Sequence, residues 1–301
     1  MILDQNAHCK DGLRGETAVR EIEIRGQGHS PVRADLRKAS SGADRALIVV
    51  CHGFLGYKRW GFFPYLSDRL AGAGFDVLTI SFSLNGIDEA TGLFDRPEEF
   101  ARNTVSVEIA DLRSVLAFVR SGALDREGVR GEALGLFGHS RGAAVALLAA
   151  GECREARSIV TWSTLGRLDR YTARRKAAWK KEGALVFNDP RAREPLRLDY
   201  SYYEDIDARR EIFDIPRAAA ALSIPHLMVH GERDAAVTLR ESRTLLAEPR
   251  KGAARFEIVR GAGHTFNVAH PLRRPTSALE RAVGLSADWF VRTLVTERKK
   301  R

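Results

Sequence analysis

The chain has 301 residues, 44% of them hydrophobic and 29% charged, with a formal net charge of +9. That length can bury a full core, and the balance of apolar and charged residues excludes a disordered or fibrous chain. The basic residues are spread along the chain and interleaved with acids, apart from the dense tail Arg298-Lys299-Lys300-Arg301, so the charge does not mark a nucleic-acid surface.

Residues 1–17 read as a polar arm. The opening Met1-Ile2-Leu3-Asp4 has no basic segment leading into an apolar one, and no run approaches the roughly 18 apolar residues of a membrane span. The chain is therefore expected to be cytoplasmic, with no membrane partner. Cys9, Cys51 and Cys153 are odd in number and lack metal-ligand spacing, so neither a disulfide framework nor a metal is expected.

Alternating apolar residues in Ala18–Arg25 and Pro31–Ala39, around Gly26-Gln27-Gly28, predict an early hairpin. Ala46–Cys51 is continuously apolar, the pattern of a parallel strand covered on both faces, and it ends in His52-Gly53-Phe54. A helix is predicted over Phe63–Ala71, a strand over Val77–Phe82, and one long helix over Glu98–Arg120, whose apolar stripe runs from Val105 to Val119. Leu134–Phe137 is the next apolar strand. It meets Gly138-His139-Ser140-Arg141-Gly142, and a small-residue helix follows at once.

A strand, a very tight turn and a helix strain the residue at the turn, which is tolerated only when the residues two before and two after carry no side chain. Gly138 and Gly142 meet that need. The turn lifts the Ser140 hydroxyl to the positive end of the following helix, where a backbone N–H can face a developing oxyanion.

Ser158–Trp162 is a further buried strand. From 163 to 222 the strand and helix rhythm is lost, leaving a helix near Tyr171–Lys181 and a short hairpin from Ala184–Phe187 and Leu196–Asp199. Four of the six tyrosines, Tyr171, Tyr200, Tyr202 and Tyr203, lie here and either pack the insertion or line a pocket. The rhythm resumes with a strand over His226–His230, the loop Gly231-Glu232-Arg233-Asp234, a helix over Leu239–Leu246, and a last strand over Arg255–Val259. That strand leads into Gly261-Ala262-Gly263-His264, and a helix over Ser277–Val295 closes the chain.

The strand–turn–helix around Ser140, the His52-Gly53-Phe54 loop, the Asp234 loop and the His264 turn together resemble the α/β-hydrolase superfamily. Within it they are most similar to the group of dienelactone hydrolases, serine aminopeptidases and cinnamoyl (feruloyl) esterases. The resemblance implies an α/β fold: a mostly parallel, doubly covered sheet built from 18–162 and 223–301, with a cap inserted at 163–222 after the sixth strand. It also implies a Ser140-His264-Asp234 triad in the order nucleophile, acid, histidine, with oxyanion donors from the backbone N–H groups of Phe54 and Arg141.

His270 is the rival base and Glu232 the rival acid; His52, His226 and His230 read as structural. Serine where dienelactone hydrolases carry cysteine sets that exact activity aside. The expected function is carboxylic ester hydrolysis through an acyl-enzyme, with no cofactor, a small ester as partner, and a homodimer left open. Phe54, Tyr57, Trp60, Tyr202 and Tyr203 are the candidate pocket residues and suggest an aromatic acyl group. Two alternatives stand beside it. One is an aminopeptidase or amidase anchored by Glu204, Asp205 or Asp207, and the other is a non-catalytic ligand-binding homologue of the same fold.

Overall fold

The computed structural model describes residues 18–26, 30–39, 46–131, 133–247 and 251–295. The expected N-terminal arm, Cys9, most of the Gly26-Gln27-Gly28 turn and the basic tail lie outside the described residues. Among the described residues ten strands form in chain order: β1 (Val19–Ile24), β2 (Val32–Arg37), β3 (Leu47–Cys51), β4 (Asp76–Ser81), β5 (Leu134–His139), β6 (Ala156–Trp162), β7 (Ala184–Phe187), β8 (Leu196–Asp199), β9 (His226–Gly231) and β10 (Ala254–Val259). Eight of them make one sheet in the order β1-β2-β4-β3-β5-β6-β9-β10, while β7 and β8 pair by themselves.

From β4 to β10 every neighbouring pair is parallel, and the antiparallel β1 and β2 extend the β4 side. The parallel strands are the ones with continuous apolar sequence, because a strand covered by helices on both faces has no side left for polar residues. In β3, Leu47, Val49 and Cys51 point into one core cluster and Ile48 and Val50 into the other. Cys51 is fully buried, in keeping with a small apolar residue.

The helices divide between those faces. α1 (Phe63–Gly72) brings Leu66 and Leu70 to one, together with Leu279, Val283 and Phe290 of α9 (Ser277–Phe290), a helix that ends in a short π-turn over Val291–Val295. The other face is covered by α3 (Val105–Arg120) and α4 (Arg141–Ala150). Between these, α2 (Pro97–Ala101) is a single short turn. The one helix expected over Glu98–Arg120 is thus two, broken at Arg102-Asn103-Thr104. Thr104 has extended backbone, and its hydroxyl accepts the Val107 N–H at 3.3 Å, so an N-cap competes with continuation of the helix and wins.

Between β6 and β9 the chain leaves the sheet and makes α5 (Ala173–Glu182), the β7-β8 hairpin, α6 (Ser201–Ala208) and α7 (Ile215–Ala221). The hairpin and α5 fall where the sequence pattern places them, whereas α6 and α7 carry no legible periodicity. α7 packs on α4, so the chain has returned to the core layer before Leu222. α8 (Leu239–Arg243) and a 3₁₀ turn then lead to β10. No helix among the described residues is long and apolar enough to cross a membrane.

The order of strands locates the site. β4 lies on one side of β3 and β5 on the other, so the chain reverses its direction of travel across the sheet at β3. The loops after β3 and β5 therefore part from each other at the carboxyl edge, and a crevice opens between them. Replacing the cap residue, Thr104→Ala, is expected to cost about 1 kcal/mol. Urea unfolding would show it as a lowered midpoint with an unchanged slope.

Candidate active site

Ser140 follows β5 directly and caps α4 with φ 56° and ψ −120°. This left-handed backbone is costly for a residue with a side chain and persists only where its surroundings dictate it. A Cβ on Gly138 would sit 2.5 Å from both Ala143 Cα and Gly142 O, and one on Gly142 only 2.1 Å from His52 O. The two glycines let α4 press against the end of β3, and the Ser140 N–H is held by Trp162 O at 2.8 Å. The hydroxyl is thereby raised into the crevice.

Three loops from other strand ends complete the arrangement. His264 follows β10, and its Nε2 lies 3.0 Å from Ser140 Oγ. Its Nδ1 is 2.8 Å from Oδ2 of Asp234, in the loop after β9. The other Asp234 oxygen accepts the N–H groups of Ala236 and Val237 at 2.9 and 2.8 Å. Burial works to raise the Asp234 carboxyl, yet the donors from His264 and the Val237 backbone prevail and hold it below the ordinary carboxylate range. An ionised Asp234 fixes the imidazole with Nδ1 protonated and Nε2 free to take a proton from the serine.

The rival groups are engaged elsewhere. Glu232 accepts the Gly261 N–H at 2.9 Å and stays at the surface. His270 accepts the Gly61 N–H on Nδ1 at 2.9 Å and meets the Tyr57 hydroxyl with Nε2 at 3.2 Å. Its ring stacks on Trp60, and burial followed by the charge of Arg191 lowers its pKa. His230 is tied to Val237 O and Ser242 Oγ, and His226 to Thr161 Oγ1.

His52 behaves as a loop clamp: its Nε2 accepts the Phe82 N–H at 3.1 Å, and its Nδ1–H donates to Gly53 O at 2.8 Å. That clamp shapes the turn Gly53-Phe54-Leu55-Gly56, which a bond from Gly56 N–H to Gly53 O closes at 3.1 Å. Among the described residues no backbone carbonyl accepts the Phe54 N–H. The Arg141 N–H belongs to the opening turn of α4, where the helix itself supplies no acceptor.

Two contributors escaped the sequence reading. The His139 Nε2–H donates to His264 O at 3.0 Å, and Ser163 Oγ donates to the same carbonyl at 3.3 Å. They anchor the backbone of the residue whose ring faces the serine. The x position of Gly-x-Ser-x-Gly was the available signal for His139; Ser163, the first residue after β6, offered none.

A cavity of about 390 Å³ opens on Ser140 and His264, and Phe54, Leu55, Trp60 and Phe63 supply its apolar wall. Pro190, Arg191 and Asp189 of the insertion close the far side. Of the expected pocket residues only Phe54 and Trp60 belong to this lining. Tyr57 is buried behind it, spending its hydroxyl on His270. Tyr202 and Tyr203 gather with Tyr171 and Tyr200 around the buried Trp179, whose ring lies 5.0 to 6.4 Å from theirs, so the tyrosines pack the insertion and do not face the cavity.

The sequence profile of the Alpha/beta hydrolase family matches residues 48–274, the stretch that carries every group just described. The chain belongs to the α/β-hydrolase family. No functionally curated protein matches it. Among solved structures, Est1E from Butyrivibrio proteoclasticus superposes with a TM-score of 0.63 at 16% identity, covering 91% of this chain and 99% of its own. Dienelactone hydrolase from Anabaena variabilis gives 0.61 at 16% identity, covering 92% and 99%. The Thermogutta terrifontis esterase Est2 gives 0.63 at 16%, covering 92% of each. At such identities the likeness is one of fold, and it extends to this member of the α/β-hydrolase family over nearly its whole described length.

Acid sensitivity follows from the clamps. Burial holds both His52 and His139 down to about 3, against an ordinary histidine value near 6.5. Between those values the unfolded chain carries protons on these histidines that the folded chain refuses, so stability falls as pH falls, by at most about 1 kcal/mol per pH unit for each. Urea unfolding between pH 6 and pH 4 should show that decline. His52→Asn should flatten it by one histidine's share, and an unaltered slope would contradict the burial argument.

Proposed function

We propose that this protein is a serine hydrolase that cleaves carboxylic esters through an acyl-enzyme. The observation that carries the reading is the Ser140 Oγ to His264 Nε2 to Asp234 row, at 3.0 and 2.8 Å, standing at the mouth of a largely apolar cavity. Serine alone is a weak nucleophile at neutral pH and needs this kind of base and orienting acid. Ser140 Oγ attacks the ester carbonyl while His264 Nε2 accepts its proton. Negative charge gathers on the former carbonyl oxygen, where the N–H groups of Phe54 and Arg141 receive it at the positive end of α4. Collapse expels the alcohol, which takes the proton from His264. Water then repeats the sequence on the acyl-serine and releases the acid.

The aminopeptidase alternative requires a free carboxylate to anchor the substrate amine. Asp205 is spent on the N–H and hydroxyl of Ser106, at 2.9 and 2.5 Å, and Asp207 pairs with Arg210. Neither these two nor Glu204 lines the cavity, and Asp189, which does, is bound on both oxygens by Arg191. These occupancies favour an uncharged ester. Phe54 and Trp60 in the cavity lining support an aromatic acyl group, a reading that does not lean on the tyrosines.

Intact-mass spectrometry after treatment with a fluorophosphonate should show one adduct on the wild type and none on Ser140→Ala. The same substitution should lower kcat by about 10⁶, and Asp234→Asn by about 10⁴. Turnover that survives in Ser140→Ala would end the serine reading. Methyl ferulate should be cleaved faster than methyl butyrate, and equal rates would remove the aromatic preference.

A further inference from the structure

The turn Gly53-Phe54-Leu55-Gly56 contains a residue that does not suit it. Leu55 has φ 59°, a conformation that four-residue turns of this kind usually give to glycine and that costs a side chain about 1–2 kcal/mol. Such a turn keeps its shape only if contacts from outside over-determine it.

Three contacts do so, two of them from the insertion. The Arg141 guanidinium lies 4.5 Å over the Phe54 ring, itself held in the core by an ion pair with the buried Glu108. Phe187 of β7 meets the Phe54 ring edge-on at 5.6 Å. Arg191 Nη2 donates to Leu55 O at 2.8 Å, a bond spanning 136 residues of sequence. This bond falls on the strained residue itself.

Arg191 is held rigidly for that task. Its Nε and Nη2 grip the Asp189 carboxylate at 2.9 and 2.8 Å, and its own N–H reaches Asp189 Oδ1 at 2.9 Å. Its carbonyl accepts the Phe94 N–H at 3.0 Å, and its guanidinium lies 5.1 Å over the Phe94 ring. Asp189 pairs with the guanidinium and fixes its orientation. Nη1 is buried with no hydrogen-bond partner, and Nη2 is aimed at the Leu55 carbonyl.

We propose that Arg191 is a positioning residue that holds the Leu55 peptide in its left-handed state and so aims the Phe54 N–H at the oxyanion. The inference rests on the serine-esterase reading. Without the bond to Leu55 O, the turn relaxes to a negative φ and the preceding N–H swings away. An oxyanion draws far more from that donor than a neutral carbonyl does, so the loss appears in kcat and leaves KM nearly unchanged.

The test is steady-state hydrolysis of p-nitrophenyl acetate, together with inhibition by an alkyl trifluoromethyl ketone, which adds Ser140 to form a tetrahedral oxyanion. Wild type, Arg191→Met, Arg191→Lys and Ser140→Ala are compared, and near-UV circular dichroism reports that each is folded. Arg191→Met is expected to lower kcat by about 10- to 100-fold, the range set by a displaced oxyanion donor, with KM within about twofold. Its affinity for the ketone should fall in parallel. Arg191→Lys keeps a donor within reach of Leu55 O and should recover most of the kcat. Unchanged kcat and ketone affinity in Arg191→Met would overturn the inference, as would a loss carried by KM. Turnover retained in Ser140→Ala would instead remove the esterase reading beneath it.

Discussion

The approach of α4 to the end of β3 is the constraint on which the site depends. With 2.1 Å between His52 O and the place where a Gly142 Cβ would stand, no other residue fits there, and the helix begins as close to the sheet as backbone allows. The chain can make that turn only by putting Ser140 at φ 56°. One steric fact therefore sets the direction of the hydroxyl, the placing of the helix terminus beneath it, and the distance to the loop after β3. The reversal of strand order at β3 supplies the rest, since it brings the free carboxyl ends of two strands to the two sides of one gap.

Around that gap two buried histidines put their ring donors to use on backbone carbonyls. His52 and His139 are neutral because burial makes their protonated forms too costly, and a neutral imidazole can donate with one nitrogen and accept with the other. His52 uses both, stitching the loop after β3 to the end of β4. His139 uses its donor on the His264 carbonyl, so His264 is located through its backbone as well as through its ring. The imidazole of His264 meets the His139 ring at 4.8 Å and is held on its Nδ1 side by Asp234.

Much of this was legible in the sequence because it follows from short-range rules. Continuous apolar runs gave the parallel strands. Glycines spaced about Ser140 gave the tight turn, while the meeting of Ser140, Asp234 and His264 at one edge was implied by the resemblance to the α/β-hydrolase superfamily. What stayed hidden depended on distance or on competition. The break before α3 turns on whether Thr104 caps or continues, and the apolar stripe is silent on that choice. The tyrosines of the insertion were visible as a cluster, but a cluster has no direction until Trp179 supplies a centre for it. Arg191 had no signal at all, since an arginine 136 positions from the carbonyl it serves obeys no local period.

The strands at the two borders of the sheet carry one more consequence. β1 presents Arg20, Glu21 and Glu23 among its six residues, and β10 presents Arg255 and Glu257, paired with each other at 2.5 Å. A second copy adding its own strand at either border would have to strip water from these charges as it paired. The open sheet is therefore guarded against growing from molecule to molecule. The eight strands can remain open-ended, without the closure into a barrel that other folds use to protect their margins.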